Sequence, residues 1–172
     1  NGPNPARNEG LRRATTELVL LVDDDAILDR RCLEELLAAY RRYPDAALWA
    51  PRILYHDRPE IIQFEGTHIH YLQEAILLNP DAPVSKGVED VAAIQAAAGV
   101  CLLLSRSKAF SVGLFDEDYF FGRTDGEFTF RLTLAGYPLY TIPRARCYHR
   151  VKKRGTAKVF YQQRNRWHMI LS

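Results

Sequence analysis

No stretch of this chain approaches the roughly 20 apolar residues needed to cross a bilayer, and its front shows no charged leader followed by an apolar core. These absences point to the cytosol, with peripheral contact at the inner face of a membrane left open. A surplus of either charge is also missing, since 23 Lys and Arg stand against 21 Asp and Glu in 172 residues. So even a balance gives no electrostatic case for nucleic acid or for an acidic partner. The three cysteines, Cys32, Cys101 and Cys147, have no C-x-x-C spacing, and two fall within apolar runs; they read as reduced packing residues. Neither an internal repeat nor a low-complexity segment is present. The length suits one domain, residues 1–172, with a core of its own.

The elements that are there alternate. Asn8 to Ala14 can form a short helix. Glu17 to Val22 is a short apolar run stopped by Asp23-Asp24-Asp25, as in a strand buried on both faces of a parallel sheet. From Asp29 to Tyr43 the apolar positions Cys32, Leu33, Leu36, Leu37 and Tyr40 recur at helical spacing, with Asp29 placed to cap the start and Pro44 beyond the end. Ala46 to Leu54 reads as a second strand, which makes an α/β unit. Between Tyr55 and Asp90 short strand-like pieces and turn formers predict a small antiparallel excursion and a loop. Leu102 to Leu104 reads as strand, Asp125 opens a helix that Gly136 closes, Tyr137 to Ile142 is a strand, and Val159 to Leu171 is a closing helix. The last thirty residues are cationic: Arg144, Arg146, Arg150, Lys152, Lys153, Arg154, Lys158, Arg164 and Arg166 suit an anionic donor, an anionic acceptor, a lipid surface or simply solvent.

Two acidic constellations carry chemistry. Asp23-Asp24-Asp25 follows a strand directly, where α/β sheets bind ligands, and hard divalent cations are held by one or two carboxylates with the oxygens of a bound phosphate. Taken alone, the triplet reads as readily as an acidic turn or helix start. The second is Phe120-Phe121-Gly122-Arg123-Thr124-Asp125-Gly126-Glu127. Carboxylates at a helix N-terminus are favoured in their ionised form, and one of them can take a proton from an attacking hydroxyl; favourable helix-start acids are the competing reading. His149 follows a strand and is a candidate ligand for a metal or phosphate, although a lone histidine is more often structural. His68 and His70 share one face of a short strand with no third ligand in view, and are assigned to the surface or to an acceptor site.

The order of these features adds to each of them. Asn8-Glu9-Gly10, Leu20 to Asp25, Gly99, Gly113 to Phe121, Asp125-Gly126-Glu127-Phe128, Arg131, Gly136-Tyr137 and His149 follow in a sequence that resembles the family 2 glycosyltransferases of the GT-A fold, particularly their bacterial rhamnosyltransferase-like branch. The resemblance covers nearly the whole chain. It implies a Rossmann-like, mostly parallel sheet flanked by helices, lacking the N-terminal strands that carry the first nucleotide contacts. It implies donor contacts at Asn8, Asp23 and Asp24, and Mg²⁺ or Mn²⁺ held by Asp25 and His149. Asp125 matches the catalytic base of an E-D-x-D/E motif. Thr124 replaces the first acid of that motif, while Glu127 and Arg131, one helical turn apart, would position the acceptor or the helix.

The activity so implied is inverting transfer of a sugar from a nucleotide-diphosphate donor to a hydroxyl of a saccharide or lipid-linked acceptor, in polysaccharide or glycoconjugate synthesis. Two rivals stand beside it. A metal-dependent nucleotidyltransferase also places carboxylates after a strand, but favours a basic glycine-rich loop near its N-terminus that this sequence lacks. A truncated or degenerate nucleotide-sugar-binding module is the other, fed by Thr124.

Overall fold

A computed structural model describes residues 2–151 and 157–171. In chain order the elements are α1 (Asn4–Arg13), β1 (Leu18–Val22), β2 (Ala26–Leu28), α2 (Cys32–Arg42), β3 (Leu48–Tyr55), β4 (Ile62–Phe64), β5 (Thr67–Ile69), β6 (Ala75–Leu77), a 3₁₀ turn Val84–Lys86, β7 (Ala92–Ile94), β8 (Cys101–Ser105), α3 (Arg106–Ser111), α4 (Thr124–Leu134), β9 (Leu139–His149) and α5 (Ala157–Leu171). Of the basic residues noted at the C-terminal end, Lys152, Lys153 and Arg154 lie outside the described residues. Among the described residues, no helix is long and apolar enough to cross a membrane.

Seven of the strands make one sheet, along the path β1-β8-β3-β9-β2, with β4 attached to β3 and β7 to β9. Strands β5 and β6 form a separate antiparallel hairpin, the excursion expected between Tyr55 and Asp90. The sheet is more mixed than expected: among the described residues only β3–β9 pairs in parallel. β8 runs opposite to β1 and β3 and sits between them, so β1, β3 and β9 share a direction while most ladders are antiparallel. Their carboxyl ends therefore lie along one edge, where the site forms.

Side-chain alternation divides the core. Leu48, Ala50, Leu102 and Leu104 face α1, α3 and α4, packing with Leu11, Ala109, Phe128 and Leu132. Their strand neighbours Trp49 and Leu103 face the other way, against Cys32, Leu36 and Ala39 of α2. This period of two sandwiches the sheet between helical layers. Beyond these, Ile53, Val100, Cys101 and Cys147 form a third cluster. The three cysteines are distant in sequence but all buried and free, and contact with the Cys147 and Cys32 thiols, together with burial, pushes the Cys101 thiol up so that it stays protonated.

Element ends depart from expectation for local reasons. The strand predicted to stop at Ile142 continues to His149, because a register shift between Pro51 and Arg52 of β3 lets the Pro143 stretch bulge out before pairing resumes at Arg146. Asp29 is not the helix cap. Its carboxylate accepts from Arg31 N at 3.0 Å in a turn ahead of α2, and Arg31 occupies the cap position. Gly136, at φ +85°, does close α4: Tyr137 N reaches back to Leu132 O at 3.1 Å.

Candidate active site

The acidic triplet is a turn between strands. Asp23 N donates to Val100 O at the head of β8 (3.0 Å), and Ala26 N closes the turn onto Asp23 O (3.1 Å). The chain then runs antiparallel to β9 in a register that sets Ala26 opposite His149, while Arg150 N donates to Asp25 O (3.0 Å). Pairing thus brings Asp25 beside His149, Oδ1 to Nε2 at 3.3 Å, with both side chains about nine-tenths buried. Gln63 holds the other ring nitrogen, Nδ1, at 2.8 Å, fixing the imidazole plane.

The spacing of this pair suits a divalent cation. Two neighbouring ligands on an octahedral ion at about 2.1 Å stand about 3 Å apart, close to the 3.3 Å observed. Among the described residues no cluster of three or more His, Cys, Asp or Glu side chains could hold a metal. An oxygen and a nitrogen ligand from the protein, completed by diphosphate oxygens, suit Mn²⁺ or Mg²⁺.

Asp23 looks the other way. Its Oδ1 pairs with Arg7 Nη2 at 3.0 Å. The Arg7 guanidinium also lies over the Phe115 ring, 5.4 Å from its centre, and its Nη1 is buried without a hydrogen-bond partner. Gly99 makes this possible, since a Cβ there would come within 2.6 Å of Arg7 Nη2. The same glycine's N–H donates to Asp125 Oδ2 at 2.5 Å. Asp125 is the second residue of α4, and its other oxygen accepts from Gly126 N at 3.0 Å.

Asp23 and Asp125 consequently stand on the walls of one cleft of about 650 Å³, with Arg7, Ala97, Arg123, Gln162 and Gln163. The hairpin supplies Thr67 and Ile69 to this wall. His68, on the alternate position of β5, and His70, just beyond its end, are not among the residues lining it. Asp24 is exposed on the turn.

Asn8 is elsewhere. It is buried, its Nδ2 donating to Phe115 O and Glu117 Oε1 (both 2.8 Å) and its Oδ1 accepting from Phe115 N (2.9 Å), so it locks α1 to the 115–117 segment. The residue that α1 delivers to the cleft is Arg7, which the sequence reading passed over although it adjoins Asn8. Glu127 and Arg131 face a second cavity of about 690 Å³, away from Asp125. They form a two-pronged ion pair, and the Arg131 guanidinium also donates to the Val112 and Leu114 carbonyls, clamping the turn at Gly113. In the same cavity Tyr119 donates or accepts at His168 Nδ1 (3.0 Å); burial and the charges of Glu127 and Asp116 push its phenol up, keeping it neutral.

The sequence model of glycosyl transferase family group 2 matches residues 18–172, and the chain belongs to that family. Among characterised relatives, the pre-mycofactocin glycosyltransferases of two Mycobacterium tuberculosis strains, CDC 1551 / Oshkosh and ATCC 25618 / H37Rv, are each 36% identical over 151 residues, covering 86% of this chain and 30% of theirs. Two solved structures share its fold. GalNAc-T7 with UDP, GalNAc and Mn²⁺ superposes with a TM-score of 0.70 at 17% identity, over 95% of this chain and 34% of that one. The Pyrobaculum calidifontis mannosyltransferase PcManGT with GDP-Man and Mn²⁺ gives 0.59 at 20% identity, over 90% and 38%. The fold is thus the GT-A fold of glycosyltransferases, and the chain spans about a third of the length of these relatives.

Proposed function

We propose that this domain transfers a sugar from a nucleotide-diphosphate donor to an acceptor hydroxyl, with inversion and with a divalent metal. One observation carries the reading: Asp23 and Asp125, remote in sequence, line one cleft, where Gly99 donates to Asp125 and leaves room for the arginine paired with Asp23. The Arg7–Asp23 side is the donor half. Arg7 lines the cleft and suits a phosphate or ribose oxygen, and Asp24, exposed on the turn, is assigned to the donor with it. Asp25 and His149 would hold Mn²⁺ or Mg²⁺, which supplies charge stabilisation for the departing diphosphate. Relatives of the same fold were solved with Mn²⁺ and with UDP or GDP-Man, which supports this assignment.

Asp125 is the base. The acceptor oxygen attacks the anomeric carbon as its proton passes to the carboxylate, and the bond from that carbon to the diphosphate breaks on the opposite face. The backbone N–H groups of Gly99 and Gly126 orient the carboxylate. We place the acceptor among saccharides or lipid-linked saccharides of polysaccharide or glycoconjugate synthesis, on the cytoplasmic side. Exposed Arg144, Arg146 and Arg150 suit peripheral contact with an anionic membrane face there.

Thr124, buried where the family motif has an acid, favours a second reading, a binding module without turnover. Release of nucleoside diphosphate from a panel of UDP-, GDP- and dTDP-sugars, with and without Mn²⁺, decides between them. Metal-dependent release that Asp125→Asn abolishes and Asp25→Ala weakens supports transfer; donor binding with no release supports the module.

A further inference from the structure

The hairpin that closes the cleft is tied to α4 by one carboxylate. Glu74, ahead of β6, accepts from Arg123 Nη2 on Oε2 (2.6 Å) and from Arg166 Nη1 of α5 on Oε1 (2.7 Å). Both arginines also bind the hairpin backbone: Arg123 Nη1 donates to Gln73 O, and Arg166 Nε donates to Leu72 O at 3.1 Å. Among the described residues lining the cleft, the carboxylates are Asp23, Asp125 and Glu74.

Arg123 occupies the N-cap position of α4, in the left-handed region at φ +59°, and makes no capping side-chain bond of its own. A non-glycine residue pays for that conformation and keeps it only where its surroundings hold it. Here the holding group is Glu74, 49 residues earlier. From Arg123 the first helical turn follows directly, Glu127 N donating to Arg123 O at 2.9 Å, so the placement of the cap residue sets the placement of Asp125. On the other side of the same turn, Asn165 of α5 donates to Phe121 O (3.0 Å) and Gly122 O (2.6 Å). Glu74 therefore joins the start of the helix bearing the base to both the hairpin and α5.

We infer that Glu74 is a positioning residue for the transfer step, acting through Arg123 to aim Asp125 at the acceptor. This rests on the reading of Asp125 as the base. The donor half, Arg7 with Asp23 and Asp25 with His149, shares no hydrogen bond with Glu74.

The test is steady-state release of nucleoside diphosphate from whichever UDP-, GDP- or dTDP-sugar the enzyme hydrolyses with Mn²⁺, water serving as acceptor, for wild type, Glu74→Gln, Glu74→Asp and Asp125→Asn. Displacing a catalytic group by a fraction of an ångström lowers turnover without touching donor affinity, so Glu74→Gln is expected to lose about 10- to 100-fold in kcat with donor KM within about twofold. Glu74→Asp, which keeps the charge on a shorter stem, is expected to recover part of that loss. Should Glu74→Gln not fold, the Glu74→Asp kcat and KM read the same split. Unchanged kcat, or a KM rise that accounts for the whole loss, overturns the inference while an inactive Asp125→Asn leaves the base in place. Turnover retained by Asp125→Asn removes the base itself, and the inference with it.

Discussion

Asp125 and Glu127 stand two residues apart in the first turn of α4, and they do opposite things. Two steps along an α-helix is a rotation of about 200°, so the carboxylates leave on opposite faces. Asp125 enters the cleft and is held there by the backbone N–H groups of Gly99 and Gly126. Glu127 turns toward the second cavity and is consumed by Arg131, which carries the clamp on to Val112 and Leu114. Both are acidic residues at a helix start. What separates the proposed base from a brace is the partner that each face supplies.

The largest expected effect lies on Asp125. Replacing it with Asn should lower turnover by about 10²- to 10⁴-fold, the usual worth of a positioned general base, and leave the thermal midpoint nearly unchanged. An equal loss of folded protein would erase the contrast with Glu127. Arg131→Ala should do the reverse. It leaves a largely buried carboxylate unpaired, for a cost of roughly 3 kcal/mol in chemical denaturation, discounted from the fully buried case because Arg131 is partly exposed. Turnover per folded molecule should survive better than in Asp125→Asn.

A third variant sharpens the link between the two halves of the cleft. Gly99→Ala places a methyl group against the Arg7 guanidinium, which can move only by loosening its pair with Asp23. Losing one charge-assisted hydrogen bond corresponds to roughly tenfold in affinity. Calorimetric titration with UDP or GDP in the presence of Mn²⁺ is expected to show that loss. An unchanged affinity would separate Arg7 from the donor.

Much of this frame was legible before any coordinates. The run ending at Val22, the helical spacing after Asp125 and the glycine at position 136 each carry their own local signal, and Asp23, Asp25 and Asp125 follow from them. Three-residue strands such as β2 and β7 carry no such signal, because they exist only through their pairing with β9. Without β2, the register that brings Asp25 to His149 was hidden. Asn8 lies away from the cleft for a related reason: its neighbour Arg7 reaches it, while helical rotation turns Asn8 inward to Phe115. Glu74 had no local mark at all, since its role is set by Arg123 and Arg166 arriving from distant elements.

The smallest effect concerns an acid in neither cavity. Burial raises the pKa of Glu17, but hydrogen bonds from the Ser105 and Ser107 hydroxyls and the Ser107 N–H, with the charge of Lys108, outweigh it and hold the carboxyl below its ordinary value of 4.5. A folded-state value below the unfolded one means that ionised Glu17 binds its proton less readily in the native protein. Its contribution is therefore present above the unfolded value and is lost as pH falls through the folded one. Glu17→Gln should melt slightly below wild type at neutral pH, with the two midpoints converging as the carboxyl protonates in acid. A gap that stays constant down to about pH 3 would mean that the Ser105 and Ser107 hydroxyls stabilise the β1–α3 junction through shape alone, and that its charge, unlike that of Asp125 or Glu127, is idle.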